Sequence, residues 1–170
     1  VCCMEETTEH WAELNGKPSN FYVTDSMGMV IPAALGIALS RPNDRVVALE
    51  GDGGVLMNLG CLVTAFIQAP KNLMIVVFNN NVYQSSGGQP LAKAGLRYEE
   101  MARGAGIPLT ARVDTVEAFE EKARAFLAED RLSFICLAVN SQREKPNVPY
   151  DLRPVEIRLQ FERWCRENAV

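Results

Sequence analysis

Short apolar, β-branched runs alternate along this chain with longer segments of helical spacing. The pattern predicts strands over 1–4, 21–24, 46–50, 73–78, 109–113 and 133–139. It predicts a loop entering a short helix over 5–14, an apolar helix over 29–40 and a helix over about 54–68. Further helices are predicted over 97–105, from Thr115 to about 128, and over 154–167. Pro32 falls in the first turn of its helix, where a missing N–H is tolerated, and Pro70 closes the 54–68 helix. Leu73 to Phe78 is almost unbroken apolar sequence, as expected of a central parallel strand covered on both faces. Residues 81–96 read as a glycine-containing loop and 140–151 as a connector. In the last helix, Val155, Ile157, Leu159, Phe161, Trp164 and Cys165 make no single clean stripe. Strands alternating with helices argue an α/β fold: an open, doubly wound, mostly parallel sheet with helices on both faces. One domain over 1–170 is expected, with residues 152–170 as its C-terminal helix. The opening Val1-Cys2-Cys3-Met4 reads as a strand already in progress, which leads us to expect residues missing upstream or a piece of a longer product.

Composition narrows the class. The 170 residues suit one ordinary core, at 48% apolar and 22% charged. A net charge of −4 gives no broad reason to bind nucleic acid or an anionic membrane. No apolar run reaches the ~18 residues of a membrane span, and no secretory signal is visible. Five cysteines without Cys-x-x-Cys spacing fit a reduced, cytoplasmic protein, with Cys61 and Cys136 as small core residues. A single histidine and scattered cysteines argue against a zinc or iron–sulfur centre.

Two predicted strand ends carry the chemistry. The strand at 46–50 runs into Gly51-Asp52-Gly53-Gly54, and the strand at 73–78 runs into Asn79-Asn80-Asn81. In open parallel sheets ligands bind outside such ends. Glycines at a helix start let backbone N–H groups approach a diphosphate. Asp52 would repel that anion unless a cation lay between them. Mg2+ meets the need, because it takes oxygen ligands from carboxylate, amide, carbonyl, phosphate and water. Asn80 adds an amide oxygen and Val82 a backbone carbonyl. Alone, each tetrapeptide or triplet is an ordinary turn; 28 positions apart at matching strand ends, they are far more specific.

This pair resembles the diphosphate-and-magnesium motif of thiamine diphosphate enzymes. The resemblance implies that Asp52, Asn80 and the Val82 carbonyl are the metal ligands. It extends upstream to Ser26-Met27-Gly28, where Met27 would hold the cofactor in its bent form and the Asp25 carbonyl would accept from the 4′-amino group. Within that superfamily the chain is similar to the pyrophosphate-binding (β) subunit of sulfopyruvate and phosphonopyruvate decarboxylases. The stretches that carry this are Asn20-Phe21-Tyr22-Val23, Gly51 through Gly60, Ala69 through Leu73, and Tyr83 through Pro90. The cofactor-binding set so implied is Asp25, Ser26, Met27, Gly51, Asp52, Gly53, Gly54, Asn80, Val82 and Tyr83. Gln84, Ser85 and Ser86 are candidate substrate contacts; Thr7 and Thr8 are candidates for the diphosphate, or for helix capping. Lys93 and Arg97 read chiefly as surface charges, and His10 as a surface or interface residue. Asn79 departs from relatives that carry Asp-Asn, and Asp25 from relatives with a smaller residue.

The implied reaction is decarboxylation of a small 2-oxo acid, a 3-substituted pyruvate, with release of an aldehyde. Its activating glutamate, which addresses the pyrimidine N1′, sits in the family on a separate pyrimidine-binding (α) subunit or domain. A hetero-oligomer such as α2β2 or larger is therefore expected, with thiamine diphosphate bridging the chains. Three alternatives remain at this stage. They are a 2-oxoacid oxidoreductase β subunit, a carboligase on the same cofactor, and a phosphate- or nucleotide-binding regulatory module.

Overall fold

The computed structural model describes residues 1–3, 6–91, 95–142 and 151–168. Met4, Glu5, Lys93 and the 143–150 connector lie outside the described residues. Helix α1 (Glu6–Asn15) is followed by α2 (Val30–Ser40), β1 (Val46–Gly51), α3 (Asp52–Met57), α4 (Gly60–Gln68) and β2 (Leu73–Asn79). A small hairpin of β3 (Val82–Tyr83) and β4 (Gln89–Pro90) encloses a 3-10 turn at Gln84–Ser86. Then come α5 (Tyr98–Gly104), β5 (Leu109–Val113), α6 (Val116–Leu127), β6 (Ser133–Ala138) and α7 (Pro154–Glu167).

The four long strands pair in parallel in the order β1-β2-β6-β5. Side chains alternate strictly across this sheet, as strand geometry requires. Ala48, Ile75, Val77, Phe134 and Cys136 join one core with α2, α4 and α5. Leu49, Met74, Val76 and Ile135 join a second with Trp11 of α1, Phe119 of α6 and Ile157 of α7. The expected doubly wound, two-faced architecture is therefore the observed one. At about 25 cal/mol per Å2, burying both faces is the main favourable term.

Four elements differ from the sequence reading. Among the described residues, the predicted short strands at 1–4 and 21–24 reduce to single parallel bridges, Cys2 to Leu49 and Cys2 to Tyr22. The Cys3 N–H donates to the Leu49 carbonyl at 2.8 Å and that of Val23 to the Cys2 carbonyl at 2.9 Å. The predicted 54–68 helix is two helices. It starts earlier, at Asp52, and breaks at Asn58, whose backbone leaves helical space (φ −143°, ψ 52°). There the Asn58 amide donates to the Gly28 carbonyl at 3.1 Å, a tertiary bond that helical periodicity does not reveal. Residues 81–91 of the predicted 81–96 loop are organised by the β3–β4 hairpin, too short to register as alternation.

Asn72, just before β2, ties the α2–β1 connection to the sheet. Its Nδ2 donates toward the carbonyls of Ala38 (3.1 Å), Arg41 (2.9 Å) and Asp44 (2.8 Å). Asn72→Ala leaves these carbonyls without that donor. It should cost about 2 kcal/mol in urea unfolding, with an unchanged denaturant slope.

Candidate active site

β1 and β2 run side by side with Gly51 opposite Phe78, so the residues that follow them emerge together at the carboxyl edge. Asp52, the first residue of α3, is only 3% exposed. Its Oδ1 accepts from the Gly53 N–H at 2.8 Å and its Oδ2 from the Asn81 N–H at 2.7 Å. The second bond locks the glycine turn to the amide triplet. Burial raises the Asp52 pKa, and the backbone N–H groups of Asn81, Gly53 and Asn80 act against that rise.

Asn80 is shaped by its own turn. Its Oδ1 accepts from the Val82 N–H at 3.1 Å, and its Nδ2 donates to Gln84 Oε1 at 2.6 Å. Asn81 takes the left-handed conformation (φ 60°) that asparagine tolerates, which turns the chain into the hairpin. Across the hairpin, the Leu91 N–H donates to the Asn81 carbonyl at 2.9 Å, so this bond engages Asn81 rather than Val82. Opposite Val82 stands Pro90, which has no N–H to give. The donor set around this turn is thus a carboxylate, a side-chain amide oxygen and a main-chain carbonyl. That is hard oxygen chemistry, suited to Mg2+.

A cavity of about 110 Å3 opens here, lined by Cys3, Thr7, Met27, Glu50 through Gly54, Phe78, Asn80 and Val82 through Ser85. It gathers Thr7, Met27, Gly51, Asp52, Gly53, Gly54, Asn80, Val82, Tyr83, Gln84 and Ser85 from the sequence-derived set. It does not bring in Asp25 and Ser26, which are exposed on the approach to α2, nor Ser86, which pairs with Gln89. Arg97 is exposed and away from the lining, and the Thr8 hydroxyl donates to the Cys3 carbonyl. Asp25 holds a positive φ of 60°, so this approach is a tight, specified turn.

Two glycines stand hard against neighbouring side chains. A Cβ on Gly53 would stand 2.7 Å from the Tyr83 ring, and one on Gly54 would stand 2.3 Å from Glu50 Oε1. Glu50, the last side chain of β1 before the glycine turn, also lines the cavity and has no sequence signal of its own. It is 2% exposed, and burial pushes its pKa up to about 7. Asn81 was also missed as a main-chain donor, since no side-chain pattern announces it. Below the site, Asn79 Oδ1, Tyr98 Oη and Glu99 Oε2 are buried without a hydrogen-bond partner in the structure.

An acid-bearing glycine turn and an amide turn are locked together at the carboxyl edge of a doubly wound α/β sheet, where such folds take their ligands. Residues 3–137 match the family "Thiamine pyrophosphate enzyme, C-terminal TPP binding domain", and the chain belongs to that family. It is 38% identical over 146 residues to a sulfopyruvate decarboxylase of Methanosarcina acetivorans, covering 84% of this chain and 36% of that protein. It is 34% identical over 144 residues to the sulfopyruvate decarboxylase subunit beta of Methanocaldococcus jannaschii, covering 84% of this chain and 74% of that subunit. Among solved structures, benzoylformate decarboxylase of Polynucleobacter necessarius superposes with a TM-score of 0.63 at 25% identity. That match covers 74% of this chain and 26% of that one. The chain therefore spans about a third of the M. acetivorans protein and about a quarter of the benzoylformate decarboxylase.

The Gly53–Tyr83 contact is open to test. Gly53→Ala should destabilise the protein by about 1–3 kcal/mol in denaturant unfolding. Pairing it with Tyr83→Ala should recover most of that loss, because the methyl then meets no ring.

Proposed function

We propose that this chain is the diphosphate- and Mg2+-binding component of a thiamine diphosphate-dependent 2-oxo acid decarboxylase. Its substrate is a 3-substituted pyruvate such as sulfopyruvate or phosphonopyruvate. The observation that carries this reading is the 2.7 Å bond from the Asn81 N–H to Asp52, which places both halves of the motif in one cavity. The family match and relatives named for sulfopyruvate decarboxylase support it.

When bound, thiamine diphosphate supplies the electron sink that lets carbon dioxide leave a 2-oxo acid. The chain's own residues bind and orient. Asp52, Asn80 and the Val82 carbonyl hold Mg2+, and Gly53 and Gly54 give the diphosphate close approach to the backbone. Tyr83 closes over Gly53. Met27 would support the cofactor's ring end, and the Asp25 carbonyl would accept from its amino group. Gln84 and Ser85, in the turn beyond the hairpin's first strand, would contact the substrate, while Ser86 pairs with Gln89 outside the lining. Glu50, an acid in the lining, is packed under Gly54. Activation of the pyrimidine therefore falls to a glutamate of a partner chain.

A surface for that partner adjoins the cavity. Residues 26–40 and 53–70 contain no Asp, Glu, Lys or Arg. Their helices pack side by side and leave Met29, Leu39, Met57, Leu59, Val63, Phe66 and Ile67 substantially exposed. An uncharged apolar face of this kind marks a protein interface. Met29 lies two residues from Met27 of the cavity, and Met57 one turn beyond Gly54. A subunit covering this face also closes the site, which supports the hetero-oligomer. The five free thiols suit a cytoplasmic setting. No described helix is long and apolar enough to cross a membrane.

Calorimetric titration with thiamine diphosphate and Mg2+ tests the reading. Binding should require the metal and should weaken about a hundredfold in Asp52→Ala, which remains folded. Release of CO2 from sulfopyruvate or phosphonopyruvate should appear only with the partner present. Tight nucleotide binding without thiamine diphosphate binding would sink the proposal.

A further inference from the structure

Asn80 can serve a cation only through its oxygen, so the orientation of its side-chain amide matters to the site. Two hydrogen bonds bear on that orientation. The Val82 N–H donates to Oδ1 at 3.1 Å, and Nδ2 donates to Gln84 Oε1 at 2.6 Å. Both bonds run one way, because a backbone N–H only donates and an amide oxygen only accepts. Turning the Asn80 amide over would set Nδ2 against the Val82 N–H and Oδ1 against Gln84 Oε1, two pairs of like groups. An amide oxygen has two lone pairs, so the bond from Val82 leaves the second for a cation.

The backbone on either side of Asn80 is held by other contacts. The Val139 N–H donates to the Asn79 carbonyl at 3.0 Å, and the Asn81 N–H donates to Asp52 Oδ2 at 2.7 Å. What is left to set is the rotation of the Asn80 side chain itself. Val82 holds its oxygen end and Gln84 its nitrogen end. Gln84 opens the 3-10 turn Gln84–Ser86, and both Asn80 and Gln84 line the cavity. Family likeness makes Gln84 a substrate contact; the geometry in addition engages its Oε1 with Asn80.

We propose that Gln84 is a positioning residue for the metal ligand: by holding Nδ2 of Asn80, it keeps Oδ1 available to Mg2+. The proposal rests on reading the cavity as a site for thiamine diphosphate and Mg2+. Groups that orient a metal ligand from behind are worth about tenfold or more in metal affinity. Gln84 acts through Asn80, so its removal raises the Mg2+ requirement of the site. Once the Asn80 side chain is gone, removing Gln84 has nothing further to disturb. A residue whose sole task is to touch the substrate would leave the Mg2+ requirement alone.

The experiment uses the chain assembled with its partner. Uptake of thiamine diphosphate at a fixed concentration is followed calorimetrically while Mg2+ is varied, with thermal melting as the check on folding. Wild type, Q84L, N80A and the double variant N80A/Q84L are compared. Q84L should raise the half-saturating Mg2+ concentration about tenfold. On the N80A background the same change should raise it by less than about twofold, the non-additivity expected when one side chain acts through another. An unchanged midpoint in Q84L overturns the proposal, and so does a Q84L effect that is undiminished in N80A. Should N80A fail to fold or take up no cofactor, Q84E decides. It keeps an acceptor for Nδ2 and should stay within about threefold of wild type, whereas a loss equal to that of Q84L overturns the proposal. Wild-type protein that takes up no thiamine diphosphate, or takes it up without Mg2+, removes the functional reading and this role with it. Mg2+-dependent uptake in wild type, matched by Q84L, overturns the role of Gln84 alone.

Discussion

The hydrogen bond from the Asn81 N–H to Asp52 Oδ2 is the constraint on which the site depends. A carboxylate 3% exposed at the top of a parallel sheet is costly unless its oxygens are satisfied. Here the donors come from backbone: Gly53 in its own turn and Asn81 from the neighbouring strand end. Satisfying Asp52 and joining the two halves of the site are therefore one event. The parallel register that places Gly51 beside Phe78 makes the joining possible, and the left-handed backbone at Asn81 aims its N–H.

Close approach explains the glycines. Tyr83 occupies the side-chain position of Gly53, and Glu50 that of Gly54. Each glycine is thus complementary to a particular neighbour, beyond any general need for a flexible turn. The same principle operates at Gly28, where a positive φ and contact with the Gly54 carbonyl bring α2 against α3.

The two faces of the sheet are put to different use. The face bearing α1, α6 and α7 carries charge on its helices, as in α7 with its Arg158–Glu162 pair. The face bearing α2 and α4 carries no charge on those two helices, and it begins where the cavity ends. Burial chemistry thus continues outward from the core on one side only. Under the proposed function, one partner covering this face would also complete the cofactor site.

Strand–helix alternation and the apolar run at Leu73–Phe78 were enough to derive a doubly wound parallel sheet from sequence, because periodicity reports burial directly. The pair Gly51–Gly54 and Asn79–Asn81 was legible for a related reason: strand ends, glycines and oxygen donors are local features with fixed spacing. Met27, Tyr83, Gln84 and Ser85 were reached through family likeness, and the fold gathers them into one cavity. Periodicity could not expose the break at Asn58, which follows a bond to Gly28 thirty residues away. It could not place Glu50 either, whose isolated side chain looks like any strand-end acid. Nor could it show that Asp25, Ser26 and Ser86 stand clear of the lining, or that a main-chain donor at Asn81 locks the site. Local sequence determined which elements form and which chemistry they carry. Only tertiary packing decided which atoms fall within bonding distance, because those contacts join residues that the chain keeps far apart.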